Sequence, residues 1–101
     1  MGTRIELQAM LEDLLESKEV YYQPPESIRM SYPAIVYSRE GTHSRKADDA
    51  IYIRSNRYTI TVISKRPDHP VINKLLEIPY CSYDRPYVVD NLHHDTFTLY
   101  F

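Results

Sequence analysis

Tryptophan is absent from this chain of 101 residues, glycine occurs twice, and cysteine occurs once. Each scarcity narrows the function. A loop that cradles phosphate on backbone amides needs several glycines for close approach, so Gly2 and Gly41 alone argue against that class. Cys81 has no second thiol to pair with inside the chain, and the expected compartment is the reducing cytosol. No stretch approaches the ~20 consecutive apolar residues of a membrane helix, and the N-terminus does not follow a signal-peptide pattern. The formal charge is −2, which argues against a strongly electrostatic nucleic-acid binder, a local basic patch aside.

What remains is ordinary for a globular chain: 43% apolar and 26% charged residues, in a length that fits one domain over 1–101. The unusual excess is ten tyrosines. β-Formers (Ile, Val, Thr, Tyr, Phe) number 33, and only Thr3 and Ile5 precede Lys18. Four of the eight leucines sit in the first fifteen residues. This split predicts one N-terminal helix and a mostly β body.

The helix begins at Thr3, whose spacing to Glu6 is that of a capping box. Leu7, Met10, Leu11, Leu14 and Leu15 recur at helical intervals, which predicts a long helix of about four turns, with Lys18 near its negative end. Pro24 and Pro25 then force extended or turn geometry. Strands are expected at Ala34–Tyr37, Ala50–Ile53 and Arg57–Lys65, the last alternating Tyr58, Ile60 and Val62 against Thr59 and Thr61. Arg39 to Asp49 is polar throughout except Ala47 and predicts an exposed, mobile loop. Asp68 is the expected N-cap of a short second helix carrying Val71, Ile72, Leu75 and Leu76, stopped by Pro79. Tyr87–Val89 and Thr96–Phe101 predict two more strands, with Asp90 to Asp95 as their hairpin connection. The order α-β-β-β-α-β-β describes an α+β domain. Its antiparallel or mixed sheet carries the long N-terminal helix and the short second helix on one face.

Candidate chemistry is sparse. His93 and Asp95 project to one side of an extended strand and His94 to the other, so at most two ligands converge where a catalytic zinc wants three. His43 and His69 lie far off in sequence. Cys81, between Tyr80 and Ser82-Tyr83, resembles a packed, inert thiol more than a nucleophile. Asp48, Asp49, Asp84 and Asp90 show no pairing suited to shared acid–base work. No catalytic, cofactor-binding or metal residues are expected. Arg39, Arg45 and Lys46, with Arg54 and Arg57 beyond them, give a partly basic segment that Glu40, Asp48 and Asp49 dilute. Mixed charge of that kind suits a protein contact, and tyrosine is enriched at interfaces. The candidate interface residues are Arg39, Arg45, Lys46, Asp48, Asp49 and Tyr52.

Several strings carry a resemblance: Tyr21-Tyr22-Gln23-Pro24-Pro25-Glu26-Ser27, Tyr32-Pro33-Ala34-Ile35-Val36-Tyr37, and Arg57-Tyr58-Thr59-Ile60-Thr61-Val62-Ile63. Tyr80-Cys81-Ser82-Tyr83-Asp84-Arg85 adds to them, as does Asp90-Asn91-Leu92 leading into Thr96 to Phe101. Over essentially its whole length the chain resembles the tail terminator or tail completion proteins of tailed bacteriophages and prophages. The resemblance implies a non-enzymatic virion-tail subunit without a cofactor, made in the bacterial cytoplasm. It implies assembly into a ring, typically a hexamer, that caps the tail tube, ends its polymerisation and meets head-completion or connector proteins. Neither membrane nor specific nucleic acid is an implied partner. The alternatives are another head–tail connector component and a small nucleic-acid-binding phage module.

Overall fold

The computed structural model describes residues 3–24, 29–46 and 52–101, with backbone alone for 41–46 and 52–55. Helix α1 spans Arg4–Leu15. Thr3 caps it as its spacing predicts: the hydroxyl accepts from the Glu6 N–H at 3.2 Å, and the Glu6 carboxylate accepts from the Thr3 N–H at 3.1 Å. Leu7, Leu11 and Leu15 form its buried stripe. At 12 residues the helix is shorter than expected and is not long. It stops because Glu16 turns into the left-handed conformation, with φ of 59°, which redirects the chain toward the sheet. The cation at its negative end comes from elsewhere. Lys74 reaches across to the Leu14 carbonyl at 3.3 Å and pairs with Glu16 at 3.2 Å.

Strand β1 is Val20–Tyr22, β2 is Ala34–Lys46 and β3 is Tyr52–Ser64. Helix α2, Pro70–Leu76, leads to β4, Cys81–Val89, and β5, Leu92–Tyr100. The spatial order is β1-β2-β3-β5-β4, with β1 parallel to β2 and every other pair antiparallel, so the sheet is mixed. Although the element order matches the expected string, its contents differ. The β1 strand was not anticipated, and the two strands expected within 50–65 are one continuous strand from Tyr52. The expected loop over 39–49 is strand as far as Lys46, because its backbone pairs residue by residue with β3.

Alternation places Ile35 and Tyr37 of β2, Tyr58, Ile60 and Val62 of β3, and Phe97 and Leu99 of β5 on one face. There they meet Leu7, Leu11, Leu15, Val71 and Leu75 from the two helices. Both helices therefore cover the same side. Each such side chain, fully buried, stabilises the fold by roughly 1.5–3 kcal/mol. The other face is lined by shorter, polar side chains in register: Ser38, Thr59, Thr98 and Ser82 form one row across four strands.

Two turns depart from expectation for the same reason. Asp68 adopts φ of 57°, so His69 caps α2, its Nδ1 accepting from the Val71 N–H at 3.1 Å. Asp90 and Asn91 both take positive φ, 53° and 63°, as a two-residue hairpin turn demands. The connection is therefore shorter than Asp90 to Asp95, and His93, His94 and Asp95 belong to β5.

Candidate interaction surface

The expected interface residues fall on a β-ribbon. β1 pairs with β2 only at Ile35–Tyr37, and β5 pairs with β3 only up to Arg57, with one further backbone exchange between Asn56 and Phe101. Beyond that line, 43–46 pair with 52–55, and no other described strand pairs with either segment. The whole chain measures 51 Å along its longest axis against 24 and 22 Å across. Along the ribbon, Arg45 sits opposite Ile53 and Lys46 opposite Tyr52. Arg39 is exposed at the ribbon's base, opposite Tyr58 and one residue before the bulge that ends at Gly41. Asp48 and Asp49 lie outside the described residues. The four described members are thus strung along the β2–β3 pair, from Arg39 at its base to Lys46 and Tyr52.

The candidate chemical groups are likewise dispersed. Cys81 is half-buried against the core opposite Leu99, and burial, helped by Asp84, pushes its thiol up to about 11. A thiol held neutral in this way makes a poor nucleophile. Asp95 accepts a hydrogen bond from the Tyr83 hydroxyl at 2.7 Å, while His94, on the opposite face, stacks on Tyr87 at 4.7 Å between ring centroids. His69 is occupied as a helix cap. Among the described residues, no three His, Cys, Asp or Glu side chains are grouped to hold a metal ion. No described helix is long and apolar enough to cross a membrane.

The tyrosines divide by position. Tyr37 and Tyr58 are core residues, their rings 6.0 Å apart, and the Tyr37 hydroxyl donates to Gln8 Oε1 at 2.5 Å. Tyr21 faces the other way and is tied to the Glu19 carboxylate, which raises its phenol. Tyr80, Tyr83 and Tyr87 are exposed.

These last residues mark a surface that sequence reasoning missed. β4 is the outer strand beside β5, and Tyr83, Tyr87, Val88 and Val89 are all exposed on it, Val88 by 59%. One signal was available: Pro86 lies inside a β-forming run, and proline in a strand marks an edge. No protein-family model matches the chain, and no curated protein matches it.

Proposed function

We propose that the chain is a structural subunit of a tailed-phage or prophage virion that caps the tail tube as a homo-oligomeric ring, typically a hexamer. In this reading it is not an enzyme. The ring ends tube polymerisation and offers the docking surface for head-completion proteins. The observation that carries the reading is the β2–β3 ribbon, which holds Arg45, Lys46 and Tyr52 clear of the helix-covered body. A two-stranded ribbon on its own is marginally stable in water, and a neighbouring subunit is a natural source of the missing contacts. Mixed charges along it set register between neighbours.

The test is polymerisation of a tail tube protein from the same phage or prophage, followed by electron microscopy with and without the purified chain. Capping shortens the tubes and places density at one end. Tubes of unaltered length, with the chain bound to heads instead, would replace this reading with that of another joining component.

A further inference from the structure

We propose that β4 is a self-pairing edge: two copies join antiparallel through Cys81–Val89 about a two-fold axis that passes between Asp84 and Arg85. The inference does not rest on the tail-capping reading. A two-fold contact joins copies in pairs, or ring to ring, and does not by itself close a cycle.

The argument begins with backbone direction. Asn56 and Phe101 exchange both of their backbone bonds, at 3.1 and 2.9 Å. Odd-numbered residues of β5 therefore bond toward β3 and even-numbered ones toward β4, in agreement with the Tyr100 N–H donating to the Tyr80 carbonyl at 3.1 Å. In β4 the partners of odd-numbered β5 residues are Cys81, Tyr83, Pro86 and Val88, so these four turn their backbone groups to the open edge. Their side chains share the helix-covered face with Phe97 and Leu99. Ser82, Arg85 and Tyr87 lie on the other face, opposite Thr98, Thr96 and His94. The bulge between Tyr83 and Arg85 puts Asp84 there too, accepting from the Thr98 hydroxyl at 2.8 Å.

With Asp84 and Arg85 side by side on one face, the strand has the same pattern in both directions about their midpoint. A second copy laid antiparallel in that register sets Cys81 opposite Val88, Ser82 opposite Tyr87, Tyr83 opposite Pro86 and Asp84 opposite Arg85. Every pair shares a face, and every outward backbone faces an outward backbone. A strand without a bulge would accept many registers, but this one accepts a single register. The charges complement each other in it, giving two reciprocal Asp84–Arg85 pairs. Exposed apolar side chains are covered at the same time: five of the seven large ones among the described residues are Tyr80, Tyr83, Tyr87, Val88 and Val89.

The same features select the occupant. A bulge, a proline and charges ordinarily protect an edge from foreign strands. Pro86 has no N–H to offer, and the Cys81 N–H is already given to the Ile78 carbonyl at 3.2 Å. The donors left, on Tyr83 and Val88, fall opposite the carbonyls of Pro86 and Cys81 in the self-paired register. An unrelated strand meets absent donors and a doubled face, whereas a second copy meets its own symmetric counterpart.

The experiment is sedimentation equilibrium of the purified chain with charge-reversed variants. The native chain forms a species of twice 12.0 kDa or an even-numbered assembly. Asp84→Lys or Arg85→Glu alone places like charges across the axis and weakens association by on the order of tenfold or more, and the double reversal restores it. Cross-linking gives an independent reading. Oxidised Val88→Cys links its new thiol to Cys81 of the second copy, and Val89→Cys, facing the other side, does not. In the native chain the two Cys81 thiols lie about 24 Å apart and stay unlinked. A chain that stays monomeric to about 1 mM, association indifferent to the single reversals, or a linkage other than Cys81 to position 88 would overturn the proposal. Binding of an unrelated extended peptide at β4 by a monomeric chain would overturn the choice of occupant.

Discussion

Tyr83 donates its hydroxyl to the Asp95 carboxylate at 2.7 Å while its ring packs edge-on against Phe97, 5.2 Å between centroids. The contact ties the outer strand to β5. Partial burial, together with the Asp95 hydrogen bond, pushes the Tyr83 phenol up to about 12. Because the folded phenol ionises above the unfolded one, its contribution is complete below pH ~10 and is lost as pH rises through about 12. Tyr83→Phe should reduce stability by about 1 kcal/mol at neutral pH. In a spectrophotometric titration the variant should lack one phenol that ionises near pH 12.

Cys81 follows the same sign. Its thiol is raised to about 11, so stability should fall between pH ~9 and 11, and Cys81→Ser should flatten that part of the curve. At pH 8 the folded chain should react with a disulfide reagent much more slowly than the urea-unfolded chain. Equal rates would show that the thiol is freely ionised in the fold.

The C-terminal strand is internal to the sheet. β5 lies between β3 and β4, and Phe97 and Leu99 are fully buried. Leu99→Ala should cost about 2–5 kcal/mol, and removal of residues 97–101 should leave the chain unfolded against a total stability of about 5–15 kcal/mol. A truncated chain with an unchanged melting temperature would place the core elsewhere.

The ribbon gives the opposite expectation. Since 43–46 pair only with 52–55 among the described strands, replacing 43–55 by a two-residue Asn-Gly turn between the paired Thr42 and Asn56 should leave the melting temperature of the body within a few degrees of native. Under the proposed tail-capping function the same change should abolish ring assembly. Loss of folding would show that the ribbon supports the body.

Some of this architecture was open to sequence reasoning, for local reasons. Thr3 and Glu6 announce α1, and its leucines repeat at the helical period over a real core. Tyr58, Ile60 and Val62 alternate because only one side of β3 is covered by helices. The run from Arg39 to Lys46 has no such alternation in its sequence. Its strand character comes from pairing with β3, which composition does not reveal. Val20–Tyr22 is a three-residue strand whose pairing partner, Ile35–Tyr37, lies well downstream. For the candidate surface, Arg45, Lys46 and Tyr52 share one projection because β2 and β3 pair where a loop was expected, whereas the exposed edge of β4 emerges only when the strand order places it outermost.

The most direct measurement is electron microscopy of particles produced with this gene deleted and then restored. A tube-capping ring predicts overlong tails beside tailless heads in the deletion, and uniform tails on complementation. Tails of uniform native length joined to heads in the complete deletion would contradict the account.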